Sequence, residues 1–132
     1  MSLFIPSSLN VRYLGFNTAS NVSLSATSSP GTTIVSLPVV VSLNTLYVIV
    51  IASVGLYNSG SSTVNETLQV FVDSNYINVG VTTVPAGGYA QATVNYVFSN
   101  LSLGSHTIGI AAYGGSLTAQ YAEIIVLVVG YP

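Results

Sequence analysis

The chain is 132 residues long and carries four residues with full charge, Arg12, Glu66, Asp73 and Glu123. Ordinary globular domains are about one quarter charged; here the share is 3%, which removes whole classes of function. One guanidinium cannot neutralise a run of phosphates, so nucleic-acid binding is excluded; the absence of cysteine excludes disulfide scaffolds and thiolate metal sites; and a chain that is 50% hydrophobic is the opposite of a disordered one.

Short runs of Val, Ile, Thr, Tyr and Phe alternate with clusters of Gly, Pro, Asn and Ser, the pattern of strands and turns. In chain order the expected strands are 11–16, 22–27, 33–41, 46–57, 67–73, 77–84, 89–98, 106–113 and 118–129. Turn clusters separate them: Ser28-Ser29-Pro30-Gly31, Asn58-Ser59-Gly60, Pro85-Ala86-Gly87-Gly88, Leu103-Gly104-Ser105 and Gly114-Gly115-Ser116. No long window repeats apolar residues at the helical period. The fold expected is therefore all-β: an antiparallel β-sandwich of eight or nine strands, immunoglobulin-like or jelly-roll, forming a single domain over residues 1–132. Residues 1–20 could act as an N-terminal arm, and residues 117–132 as a terminal assembly strand.

Alternation within the strands predicts which faces are buried. In 67–73, Leu68, Val70 and Val72 oppose Gln69, Phe71 and Asp73, a half-buried pattern. In 89–98, Ala90, Ala92, Val94, Tyr96 and Phe98 oppose Tyr89, Gln91, Thr93 and Asn95. Two runs do not alternate: Leu46 to Ile51 and Ile124 to Val129 are apolar on both sides. In a two-layer sandwich the outer side of such strands needs cover from the chain's own N-terminal segment, from other subunits or from lipid. Cover by other subunits is preferred, with Tyr47, Ile49, Ile51, Tyr121, Ile125, Leu127 and Val129 as the expected assembly interface. Tyr is suited to such contacts because its ring buries area while its hydroxyl finds one partner, and there are nine tyrosines.

Groups able to do chemistry are few. A Ser-His-Asp arrangement would have to use His106, the only histidine, with Asp73 and one serine, and no Gly-x-Ser-x-Gly elbow supports it. No spacing suggests metal ligands. The expectation is no catalytic residue, no cofactor and no metal. Asn21, Asn65 and Asn100 each begin an Asn-x-Ser/Thr sequon and are candidate glycosylation sites.

The few charges also bear on habitat. Acid destabilises proteins mainly by protonating paired carboxylates; with three carboxylates there is little to lose, so stability should be nearly flat with pH. Met occurs only at position 1, which keeps oxidisable sulfur out of the interior. The opening Met1-Ser-Leu-Phe-Ile-Pro6 lacks the basic region and long apolar run of a secretion signal. A chain suited to an acidic exterior yet without a signal fits a virion component, released with the particle.

The stretch 46–113 resembles CARDB-like and broader immunoglobulin-like adhesion modules of prokaryotic surfaces. The resemblance rests on Val48-Ile49-Val50 leading into Asn58-Ser59-Gly60, on Leu68-Gln69-Val70-Phe71-Val72-Asp73, on Val84-Pro85-Ala86-Gly87-Gly88 and on Gly104-Ser105-His106-Thr107-Ile108. It implies an adhesive or display role without catalysis. In overall style the Ser-, Thr-, Asn- and Tyr-rich, nearly uncharged chain is similar to structural proteins of archaeal viruses from acidic hot springs. The function expected is thus a non-enzymatic structural protein of a virion (capsid, turret, tail or nozzle). Its partners would be itself, as a homo-oligomer, and other virion proteins, in a virion or extracellular setting. Membrane contact is not favoured. The alternatives are an extracellular adhesin or filament subunit joined by strand donation, and a carbohydrate-binding sandwich.

Overall fold

A computed structural model describes residues 9–131, which form eight strands. These are β1 (Asn10–Leu24), β2 (Thr32–Val41), β3 (Thr45–Tyr57), β4 (Val64–Val72), β5 (Asn75–Val84), β6 (Tyr89–Ser99), β7 (Gly104–Tyr113) and β8 (Leu117–Gly130). Seven of the nine expected strands recur with shifted ends. The first two, 11–16 and 22–27, are one continuous strand, because β8 offers β1 a partner along its whole length. The polar residues between them belong to the strand. Asn17 donates its side-chain amide to the Ser36 carbonyl of β2 (2.7 Å), and Asn21 takes a positive φ of 54° within the strand.

The strands form two four-stranded sheets, ordered β1-β8-β3-β6 and β2-β7-β4-β5. Antiparallel pairing joins β1 with β8, β2 with β7, β3 with β6 and β4 with β5. The chain is thus one long hairpin, turning at Asp73-Ser74, whose successive segments alternate between the two sheets. The pairs β3·β8 and β4·β7 then join the segments within each sheet. This is the jelly-roll arrangement, and it decides between the two expected topologies: an immunoglobulin sandwich keeps its strands in the sets ABED and CFG.

Side chains that alternate inward from both sheets make the core, among them Val48, Val50, Val54 and Leu56 of β3, Ile124 and Val126 of β8, Val70 of β4, and Ile108 and Ile110 of β7. At about 25 cal/mol per Å² of apolar surface buried, such side chains stabilise the fold without any ionic contribution. The alternation expected for β6 holds, with Ala92, Val94 and Phe98 inside and Tyr89 outside. In β4 the alternation holds but the half-buried expectation does not. Gln69 and Phe71 face away from the core and are nonetheless buried. Phe71 stacks on Tyr76, ring centroids 4.8 Å apart, over Gly109, where an added Cβ would lie 2.5 Å from the Phe71 ring and 2.7 Å from Ser36 Cβ. Gln69 is covered by the Ser29–Gly31 loop: it accepts from the Gly31 N–H (2.9 Å) and donates to Ser29 Oγ (3.0 Å) and Asn78 Oδ1 (2.9 Å).

The two terminal strands lie side by side in one sheet. From Asn10 onward the N-terminal segment is an edge strand of the chain's own sheet and not an arm; residues 1–8 lie outside the described residues. The C-terminal strand β8 lies inside its sheet, hydrogen-bonded to β1 on one side and β3 on the other. Its backbone is fully used, so it cannot be donated to a neighbour from this fold.

Candidate assembly face and adjoining cleft

The register of the β1-β8-β3-β6 sheet arranges its outward side chains in rows. One row runs Val11, Val129, Tyr47, Ser99; the next Tyr13, Leu127, Ile49, Val97; the third Phe16, Ile125, Ile51, Asn95. A fourth, Thr18, Glu123, Ser53, Thr93, is polar. Three consecutive rows are therefore almost wholly apolar across four strands. Val11, Tyr13, Phe16, Tyr47, Ile51 and Val97 are all exposed on this face, and Ile49, Ile125, Leu127 and Val129 are half-buried by their neighbours. Strand and row spacings give the patch roughly 300 Å² in plan, the lower end of the size of a typical monomer's largest apolar patch, which is often functional.

Six of the seven interface residues expected from sequence, Tyr47, Ile49, Ile51, Ile125, Leu127 and Val129, lie together in this patch. Tyr121 shares the face but sits beyond the polar row. Val11, Tyr13, Phe16 and Val97 were not anticipated. Val97 continues the outward alternation of β6 and was legible there. Phe16 was not: a bulge between Tyr13 and Gly15 shifts the register, so Tyr13 and Phe16 share a face that strict alternation would deny them.

Past the polar row the character changes. Tyr121, Gly55 and Gln91 are neighbours across β8, β3 and β6, and Tyr57 pairs with Tyr89 one step further on. The register between β3 and β8 slips there, at Gly55/Leu56. Gly55 leaves a gap in the middle strand: a Cβ built on it would meet only the Tyr121 carbonyl, 3.8 Å away. The result is an open cleft of about 330 Å³, with Gly55 and Leu56 in its lining and Tyr89, Gln91, Gln120 and Tyr121 around it. Tyr121 donates its hydroxyl to Glu123 Oε2 (2.8 Å), a bond that raises the phenol's pKa above its ordinary value. Tyr89 leans on Tyr57 with centroids 4.7 Å apart. Gln91 donates to Ser53 Oγ (3.1 Å).

On the other sheet, His106 meets Asp73 and Ser102. His106 Nδ1 is 2.7 Å from Asp73 Oδ2, and Nε2 is 3.3 Å from Ser102 Oγ, which superficially is the acid-base-nucleophile order of a hydrolase. The same Nε2, however, lies 2.7 Å from the Ser102 carbonyl oxygen, to which it can only donate. With both of these partners satisfied each ring nitrogen donates, which leaves no lone pair with which to take a proton from the serine. The arrangement is a brace: Asp73 also accepts from the Thr107 N–H (2.9 Å), so the β4–β5 turn, β7 and the loop before it are tied together. The Thr107 N–H and the His106 ring hold the Asp73 carboxyl below its ordinary pKa. Asp73 and the Ser102 carbonyl raise that of His106.

Glu66 is fully buried where β4 meets the β7–β8 turn. Its Oε1 accepts from the Gly115 N–H (2.8 Å), and its Oε2 has no partner among the described residues. Burial pushes its pKa up, the Gly115 bond offsetting only part of this. The sequon residues Asn21, Asn65 and Asn100 are all exposed; Asn65 Oδ1 accepts from the Thr83 hydroxyl (2.8 Å).

No protein-family model matches the chain, and no curated protein matches it by sequence; the CARDB-like resemblance gains no support there. Solved structures do match. A chain in the structure of the Gx strain of infectious bursal disease virus aligns with 99% of this chain at 12% identity and a TM-score of 0.52. A chain of the T13 particle of the same virus aligns over 95% at 15% identity and 0.51. The globular domain of zebrafish complement 1qA aligns over 87% at 11% identity and 0.50. This chain spans 40% and 35% of the two viral chains and 95% of the complement domain. At these identities the likeness is one of fold: a β-sandwich of the kind found in virus particles and in that complement domain.

Proposed function

We propose that the chain is a non-enzymatic structural subunit of a virion that assembles with copies of itself and with other particle proteins. The observation that carries this reading is the triple apolar row on the outer face of β1, β8, β3 and β6. A standard protein contact takes about 800 Å² per partner, so the patch would form its dry centre and the polar rows its rim. The near absence of charge adds support, since such a contact holds no ion pair that acid or salt could break. The fold shared with chains of a virus particle is consistent with the reading. A virus of an acidic, hot habitat is the setting that composition favours, and the three exposed sequons are available for sugars that would keep a low-charge outer surface soluble.

Sedimentation and electron microscopy at about pH 3 and pH 7 test the proposal. High-order particles are expected at both. Tyr13→Glu and Val97→Glu, at the two ends of the middle apolar row and both well exposed, should give folded monomers with unchanged circular dichroism. A wild-type chain that stays monomeric at both pH values, or variants that assemble as well as it does, would overturn it.

A further inference from the structure

The cleft over Gly55 is chemically unlike the apolar rows beside it. Its two large walls, Tyr89 and Tyr121, are 66% and 47% exposed, and both rings are held in place, one by Tyr57 and one by Glu123. Held rings lose little entropy on binding. Between them stand groups with hydrogen-bonding capacity to spare. Among the described residues the Gln120 side chain makes no hydrogen bond, and Gln91 uses its amide NH₂ on Ser53 and leaves its carbonyl oxygen free. A glycine inside an otherwise side-chain-filled strand marks a place where something approaches the backbone closely. Among the described residues nothing approaches Gly55 more closely than the Tyr121 carbonyl, 3.8 Å from where its Cβ would be.

We propose that this cleft binds a neutral oligosaccharide, with Tyr89 and Tyr121 as stacking platforms and Gln91 and Gln120 as partners for its hydroxyl groups. The chemistry selects this ligand class. Flat exposed rings take the C–H face of a sugar, while amides match hydroxyls that both donate and accept. An anionic ligand would find no cation in the lining. A purely apolar ligand would leave the amides desolvated and unpaired, which is costly. The strand geometry also sets a length: two strands across and one pleat along, the Cα atoms of Tyr121 and Tyr89 stand roughly 12 Å apart. One sugar ring cannot bridge that span, but a short oligosaccharide can. The cleft is separated from the apolar rows by the polar row of Thr18, Glu123, Ser53 and Thr93, so binding does not depend on assembly.

The test is calorimetric titration of the protein, in whatever assembly state it adopts, with maltotriose, cellotriose, mannotriose and N-acetylated chitotriose, using tetramethylammonium as a cationic comparison. Binding of at least one trisaccharide with a dissociation constant of about 1 mM or tighter is expected. Gly55→Val should weaken it at least about tenfold by filling the floor. A Cβ there has room in the fold, so this variant should melt like wild type. Tyr121→Ala should weaken binding comparably, and Val97→Glu, at the assembly face, should leave it unchanged. The proposal is overturned if none of the four trisaccharides binds, if tetramethylammonium binds more tightly than all of them, or if binding survives Gly55→Val. Loss of binding in Val97→Glu alone would overturn the independence of cleft and assembly face.

Discussion

Glu66 and His106 make the ionic behaviour of this chain differ from a flat pH profile. The Glu66 carboxyl is raised above its ordinary 4.5 by burial, so the folded chain holds that proton more tightly than the unfolded chain. The stability tied to it is complete below about pH 4.5 and is lost as pH rises through the raised value. Glu66→Gln, which removes the charge while keeping an acceptor for Gly115, should therefore raise the melting temperature by a few degrees at about pH 7 and leave it nearly unchanged at about pH 3. The brace works in a different window. Asp73, lowered from 3.8, contributes stability above that value and loses it as pH falls through its folded value. His106, raised from 6.5, contributes below that value and loses it as pH rises through its folded value. Both contributions are complete only between about pH 4 and 6.5. The melting-temperature gap between wild type and His106→Asn should peak in that interval and narrow as pH rises through the raised His106 value. An equal gap at every pH would show that the ring acts by packing alone.

The role of β8 is set by what flanks it. Read alone, its apolar C-terminal run is an aggregation hazard; between β1 and β3 both of its backbone edges are satisfied, and only its outer side chains remain available. Adjacent residues of this strand should therefore behave oppositely. Ile124→Ala removes a fully buried side chain and should cost about 2–5 kcal/mol in denaturant unfolding. Ile125→Thr, one residue on and outward, keeps β-branching and should change unfolding by less than about 0.5 kcal/mol while weakening assembly. Similar losses from both substitutions would mean the outer face is covered within the monomer. In β7, Gly109→Ala should be costly for its size, because the new methyl collides with Phe71 and Ser36; overpacking of this kind costs about 1–3 kcal/mol.

At the scale of the molecule, one side of the sandwich carries two neighbouring surfaces of different chemistry, three apolar rows and then the tyrosine-lined cleft. An assembly held by apolar contact should be indifferent to simple salt, since screening at about 1 M acts on charges and not on apolar area. Sulfate should strengthen it. Sedimentation in sodium chloride and in ammonium sulfate checks this; dissociation in sodium chloride would point to ionic contacts involving Arg12 or the few carboxylates.

Much of this was written locally in the chain. Strand content, the turn clusters, the inward alternation of β6 and the doubly apolar runs of β3 and β8 follow from residue type and a period of two, which any extended segment obeys. The scarcity of charge needs only counting. What the sequence could not supply is whatever depends on which strand lies beside which. The merging of 11–16 with 22–27 required β8 as a partner, and the burial of Gln69 required a loop laid across a sheet. Phe16 joined the apolar face through a bulge, and Gly55 became the floor of a cleft only when Tyr121 and Gln91 took their places on either side. The jelly-roll order itself is non-local, because strands far apart in sequence pair equally well in several nestings until the two sheets close on one core. Local pattern determined what each segment is, and long-range pairing decided what each segment faces.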